Sequence, residues 1–351
     1  MLPMPITCTI VETNVCVNTI NWFFFSGMLS TSLHSQLVGV LKSCYADATK
    51  ASYRTHLKSW TAFCVVMGIP LLPIEPRSAA LYAVLLSRSL KYDSIPQYLN
   101  MLSLLHRSMG LKSPLDCFLV KSVMRGLKNT MQQEPSFKLP VTPKILYCIL
   151  SNMNLDSVSD SCVWMSCLVL FYGLLRKSNV VGVHKVLRSD CHLTSKSLNI
   201  TVSSSKTRNK ITDPPRVISL PIMKGHRLCP VSAAIHFLSM SSHLPRSAPL
   251  CAIPKSSTGA GFNMLSYKLI TGAVQGALPP EQSQQYATLS FRRGGATHLF
   301  SIGVPCETIR LLGDWRSDAY RRYIMVDTQA VSYSAISAMQ ASLTTPSRQN
   351  V

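Results

Sequence analysis

"LSFRRGGATHLF", residues 289–300, sets two arginines and two glycines inside an otherwise apolar, helix-like run. Adjacent positions on a helix point about 100° apart, so only one of Arg292 and Arg293 can readily face a buried site. Gly294 and Gly295 cost a helix roughly 1 kcal/mol each, so something close by is expected to need their lack of a side chain. The stretch predicts a helix over 290–302 that carries one functional arginine and packs close to a neighbour or a ligand.

Around it the chain reads as mixed but mainly helical. Toward the C-terminus, helices are expected at 305–312 and 315–325. Toward the N-terminus, they are expected at 262–275, 230–240, 158–175 and 143–153. Between them, "SLNITVSSSKTRNKITDPPRVISLP" reads as a strand over 197–204, a polar turn, and a strand over 215–220. Lys206, Arg208 and Lys210 sit at the tip of that hairpin. Earlier still, Tyr53, Leu57, Trp60, Cys64 and Met67 recur at helical steps, and Gly68 stands where a C-cap belongs. Further helices fit 76–90 and 97–109, and another starts at Ser113-Pro114 and runs to about Asn129. The fold class is therefore mainly α with a small β-hairpin or sheet. A helical bundle over 35–130 is followed by a linker over 131–141 and an α+β domain over 142–330. Residues 1–34 read as a poorly defined leader and 331–351 as a tail.

Composition narrows the partners. Of 351 residues, 47% are apolar and 14% charged, which excludes a disordered chain, and the formal net charge is +20. The excess is carried by 35–137, with a net +7, and by 138–330, with a net +13, rather than by a basic arm. A polyanion, most simply nucleic acid, is the expected partner. The 12 cysteines form no Cys-x-x-Cys pair and no cluster with histidine, which argues against a zinc site and against a disulfide framework. The apolar stretch 15–30 is broken by Asn18 and Asn21 and is short for a membrane span, so no membrane association is expected.

Arg176 closes "LVLFYGLLR", a run otherwise without charge. Burying a guanidinium without an anion is expensive, so it either awaits an anion or complements the helix C-terminus and reaches water. Lys206 alone reads as a solvated turn lysine. Trp315 alone reads as a core residue. Tyr320 and Tyr323 lie three apart, on adjoining faces of a helix, which leaves the choice between them open.

Four motifs in register alter these readings. "FYGLLRKSNVVGV", "SSSKT", "LSFRRGGATHLFSIGV" and "IRLLGDWRSDAYRRYI" occur in the order and spacing of the tyrosine recombinase (phage integrase) family, which the chain resembles over residues 40–330. "FRRGGATH" and "GDWRSDAYRRYI" look most like the recombinases of DIRS-like retrotransposons. The resemblance implies a helical core-binding domain and a catalytic domain that close around duplex DNA. It also implies strand cleavage through a 3′-phosphotyrosyl link and rejoining, by several protomers acting together in the nucleus. No metal or other cofactor is implied, because the covalent link stores the bond energy.

By the same resemblance Arg176 and Arg292 hold the non-bridging oxygens of the scissile phosphate, a role suited to forked, permanent cations. Lys206 protonates the departing 5′ oxygen, Trp315 contacts the phosphate or supports the tyrosine, and Tyr323, followed by Ile324, is the nucleophile in preference to Tyr320. Arg208, Lys210 and Arg293 are expected on the DNA backbone. One residue departs from the pattern. Leu289 stands three before Arg292, where the family carries histidine, and His298 is too far along the helix to replace it. Acid–base help is typically worth about 10²–10⁴-fold, so the alternative is a DNA-binding protein derived from a recombinase and impaired in catalysis.

Overall fold

The computed structural model describes residues 31–131, 137–182, 185–204 and 213–325, with 336, 337, 339 and 340. The chain divides into two units, Met1–Pro135 and Ser136–Val351.

In the first unit, α1 (Thr31–Ser43) is followed by α2 (Asp47–Met67), α3 (Pro76–Ser87), α4 (Ile95–Ser108) and α5 (Phe118–Thr130). Helix α1 was not expected from the sequence, and none of its described side chains is buried. Gly68 does end α2, at φ 63°, a left-handed conformation that glycine adopts without steric cost. Met67 faces solvent rather than the core. The α2 face that is buried sets Trp60 and Phe63 against Tyr82 of α3, with ring centres 5.1 and 5.2 Å from the tyrosine. Both polar ends are satisfied: Trp60 donates to the Leu71 carbonyl at 3.2 Å and Tyr82 to the Ser59 hydroxyl at 2.9 Å. Ser113 caps only a 3₁₀ turn, Pro114–Asp116, and α5 begins afterwards at Phe118. Its Lys121, Arg125 and Lys128 share a helical face.

The second unit is built around α7 (Val158–Tyr172), preceded by α6 (Pro143–Ser151). Residues 161–171 are all buried, because the run carries no charge on any face. Ser166 is accommodated by donating to the Cys162 carbonyl at 2.7 Å. The chain then passes through α8 (Lys177–Val181) into an antiparallel sheet of β1 (Cys191–Leu193), β2 (Ser197–Val202) and β3 (Arg216–Pro221), in that order. The expected hairpin is β2 and β3, with Val202 opposite Arg216 at its last pair, and β1 adds an edge strand. Leu198, Ile200 and Val202 alternate inward.

Helix α9 (Pro230–Met240) packs on α7, and a second small sheet pairs β4 (Ala252–Pro254) with β5 (Phe262–Met264). Phe262–Met264 is thus a strand where helix was expected, and α10 starts later, at Tyr267, capped by Ser266. After the single turn α11 (Pro280–Ser283) come α12 (Thr288–Ser301) and α13 (Cys306–Leu312). The helix expected over 315–325 is instead a 3₁₀ turn, Asp318–Arg322, capped by the Ser317 hydroxyl. Among the described residues, no helix is long and apolar enough to cross a membrane.

Candidate active site

Helix α12 packs where a side chain on either glycine would collide with main chain. A Cβ on Gly294 would lie 2.0 Å from the Val141 carbonyl oxygen, and one on Gly295 would lie 2.0 Å from that of Phe171. The close approach is therefore to the segment leading into α6 and to α7. This sinks the arginines beside the glycines into the unit.

Arg292 is 1% exposed. It donates from Nη1 to the Leu174 carbonyl and from Nη2 to the Gly313 carbonyl, the latter at 2.5 Å. These acceptors lie in two turns, one after α7 and one after α13. Each turn holds a non-glycine residue in the left-handed region, Leu174 at φ 47° and Asp314 at φ 54°. Such residues cost on the order of 1–3 kcal/mol and persist only where the surroundings enforce them. The turn after α13 is also tightly filled: a Cβ on Gly313 would fall 1.6 Å from the Trp315 ring.

Arg176 reaches the same turn. Its Nη2 donates to the Asp314 carbonyl at 3.3 Å, and Nη1 lies 3.5 Å from the Asp314 carboxylate. It does not close a helix. It precedes α8 in extended backbone, and its own N–H donates to Asn179 Oδ1 at 3.2 Å. The reading of Arg176 as a complement to a helix C-terminus is therefore corrected: α7 has already ended at Tyr172, and the side chain turns inward to Asp314.

Aromatic rings close over Arg292. Its guanidinium carbon is 4.1 Å from the centre of the Trp315 ring and 5.4 Å from that of Tyr323, and those two rings are 5.0 Å apart. Burial first, and then the Arg176 charge, push the Arg292 pKa down; Tyr323 and Asp314 act in the opposite direction. Nε of Arg292 and Nε1 of Trp315 are buried donors with no hydrogen-bond partner among the described residues. Such groups are rare in folded proteins and call for an acceptor.

The two candidate tyrosines differ in setting. Tyr320 is 5% exposed and packs with Leu174, Ala296, Ile309 and Trp315. Tyr323 is half-buried and follows the 3₁₀ turn, with its ring over Arg292. Helix α12 fixes the main chain around it. Thr297 Oγ1 donates to the Tyr323 carbonyl at 3.3 Å, and the same oxygen accepts from the Met325 N–H at 3.1 Å.

Arg293 requires a correction. Expected on the DNA backbone, it is 6% exposed and donates to the carbonyls of Lys138 and Arg322, each at 2.6 Å. The close packing at Gly294 and Gly295 buries this side of α12, so the second arginine is also internal and holds the residue before Tyr323. Leu289, by contrast, is 44% exposed. His298 lies with its ring 6.0 Å from that of Phe171. Lys206, Arg208 and Lys210 lie outside the described residues.

Arg176, Arg292, Trp315 and Tyr323 are thus brought together. Gly313 and Asp314, in the second of the two turns, and Arg216, which reaches both, were not singled out from the sequence; the first two stood inside the motif "GDWRSDAYRRYI" and Arg216 left no signal.

This arrangement of a helical unit and a mainly α unit, with arginines, tryptophan and tyrosine around one turn, has the tyrosine recombinase fold. Among solved structures, the XerH recombinase bound to its palindromic substrate superposes with a TM-score of 0.59 at 14% identity, over 91% of this chain and 92% of that one. The Tn1549 transposon integrase in complex with transposon right end DNA gives 0.57 at 15% identity, over 88% and 98%. A lambda integrase dimer on a core site gives 0.52 at 13%, over 86% and 97%. In sequence, 89 residues are 36% identical to the recombinase Cre of Escherichia phage P1. They make up 25% of this chain and 26% of Cre, so the match spans about a quarter of that relative's length. No protein-family model matches the chain. The fold is therefore the one these recombinases and integrases share, and one quarter of the chain also resembles Cre in sequence.

Proposed function

We propose that the protein cleaves and rejoins duplex DNA through a phosphotyrosyl intermediate formed by Tyr323. The observation that carries this reading is the pair of orphaned buried donors, Arg292 Nε and Trp315 Nε1, beside a half-buried tyrosine whose ring lies over the same guanidinium. Arg188 and Arg293 also leave a buried Nε unpaired, so what marks Arg292 is the company it keeps: the indole and the tyrosine ring against it and Arg176 on the same turn, a cationic cluster suited to a phosphodiester that gains negative charge on its non-bridging oxygens as it is attacked.

In the proposed reaction the Tyr323 oxygen attacks phosphorus and its proton leaves, a step favoured by the positive field of Arg176 and Arg292. The bond to the 5′ oxygen breaks, and Lys206 supplies the proton that oxygen needs. The reverse reaction with a different 5′ hydroxyl rejoins the strand. The net charge of +20 supplies the attraction that holds the polyanion. DNA would be bound by several copies of the chain. The origin we favour is a mobile element, of the DIRS-like retrotransposon kind by the motifs "FRRGGATH" and "GDWRSDAYRRYI", acting in the nucleus.

A nicked duplex that traps the covalent adduct tests this reading. Wild-type protein is expected to become covalently joined to the 3′ strand and Tyr323→Phe is not; no adduct from either contradicts the proposal. Leu289 favours a second reading, a DNA-binding protein without strand cleavage. Salt-sensitive duplex binding with no adduct from wild-type protein supports that alternative.

A further inference from the structure

The two strained turns of the site are stapled by a third arginine that has no part in the expected catalytic set. Arg216 opens β3, half-buried, opposite Val202. Its Nη2 donates to the Leu312 carbonyl and to the Gly173 carbonyl, the latter at 3.4 Å. The next carbonyl in each turn is a ligand of Arg292: Leu174 follows Gly173, and Gly313 follows Leu312. Arg216 and Arg292 thus hold the same two turns through consecutive pairs of carbonyls. The residues at which the backbone turns left-handed, Leu174 and Asp314, fall at or just beyond those carbonyls.

The pattern has a physical consequence. Among the described residues, the hydrogen bonds of Arg292 go to main-chain oxygens of the two turns, so its placement between the Trp315 and Tyr323 rings follows those turns. Main-chain bonds tie each turn back to its own helix, Gly173 N–H to the Val169 carbonyl at 3.0 Å and Asp314 N–H to the Leu311 carbonyl at 3.1 Å, and Arg216 is a side chain that ties the sheet, through β3, to both turns. Both bonds come from one amino group, Nη2, whose hydrogens are held in the guanidinium plane and so meet their acceptors in a fixed geometry, which an ammonium on a flexible stem does less well.

We propose that Arg216 is a positioning residue for Arg292, and through it for the phosphate; this rests on the recombinase reading above. Arg216 acts on the chemistry through Arg292, by the placement of that guanidinium against Trp315 and with its own charge beside it.

The test has two arms, both on the full chain. In the first, single-turnover cleavage of the nicked duplex is measured for Arg216→Ala, Arg216→Lys, Arg292→Ala and the double variant. A displacement of order 1 Å at a reacting group costs about 100-fold, so Arg216→Ala is expected to slow cleavage by about 10- to 100-fold with duplex affinity within about threefold. Arg216→Lys is expected to recover part of the loss. The double variant is expected to be no slower than Arg292→Ala alone, because a residue acting through another adds nothing once that one is gone. Multiplying effects, or an unaffected Arg216→Ala, overturn the proposal.

The second arm needs no activity, so it still decides if cleavage fails altogether and the recombinase reading falls. Protein labelled with 5-fluorotryptophan is followed by fluorine NMR, with the Trp315 signal assigned from Trp315→Phe. Arg216→Ala is expected to shift the Trp315 resonance, as Arg292→Ala does, while Trp60 and Trp164, in the cores of the two units, stay in place. A Trp315 signal that does not move, or movement of all signals together, overturns the positioning role.

Discussion

Replacing Arg293 with methionine separates an internal arginine from a DNA contact. Methionine keeps the apolar stem over Phe137, whose ring centre is 5.4 Å from the guanidinium, and removes both charged hydrogen bonds. The carbonyls of Lys138 and Arg322 then lose their donor. An unpaired buried acceptor costs about 1–3 kcal/mol, and both oxygens sit at part-buried positions, so the lower end applies and the sum is about 2–3 kcal/mol. For a unit of this size each kcal/mol moves the midpoint by about 2–4 °C, which gives a fall of about 4–12 °C. The melt is best followed at Trp164, in the core of the same unit, with Trp60 of the first unit as an unmoved reference. Duplex affinity and its salt dependence are expected to stay as in wild type. A surface arginine on a phosphate does the reverse: the melt is unchanged and the salt slope falls by about one. That second outcome would refute the burial argument for Arg293.

Three further outcomes follow from the same geometry. Gly295→Ala puts a methyl 2.0 Å from the Phe171 carbonyl oxygen, and the main chain must move, so we expect a loss of several kcal/mol, on the scale of severe overpacking; Gly272→Ala, with open space around it, is expected to stabilise by about 0.5–1 kcal/mol. Paired thermal melts of the two variants check this. Leu289→His restores an acid–base group on an exposed position one turn before Arg292, and single-turnover cleavage is expected to rise at least about tenfold with unchanged duplex affinity. An unchanged rate removes Leu289 from the explanation of any low activity. His56, whose ring lies 4.1 Å from that of Tyr98, has its pKa lowered by burial. The unfolded state then binds the proton more readily, so the first unit is expected to keep this stability above about pH 6.5 and lose it as pH falls further. A His56→Gln variant with a flatter pH–melting curve below that point is the check.

What could be read from the residues alone followed the range of the interactions involved. Gly68 as a C-cap, and the Trp60 face of α2, depend on local spacing, and the helix needed no distant partner to be legible. The glycines of α12 announced a close approach, but its partners, Val141 and the end of α7, lie more than a hundred residues away in sequence. The same distance hid the fate of Arg293. Two adjacent arginines suggested one inside and one outside; in the folded unit both find carbonyls because close packing on both sides of the helix leaves neither a path to water. The run 315–325 has helical spacing, yet it forms a 3₁₀ turn held by Ser317, Arg293 and Thr297. That change decides how the tyrosines differ. Tyr320 turns into the core and Tyr323 stays half-buried over Arg292, a distinction that an α-helix with residues three apart does not make.

The central claim, that Tyr323 forms the covalent bond to DNA, has a direct measurement. Trypsin divides the two candidates cleanly: Tyr320 falls in peptide 317–321 and Tyr323 in peptide 323–348. Adduct trapped on a nicked duplex is digested with nuclease and trypsin and sequenced by tandem mass spectrometry. A residual nucleotide phosphate is expected on Tyr323, in the longer peptide. The same mass on Tyr320 would contradict it.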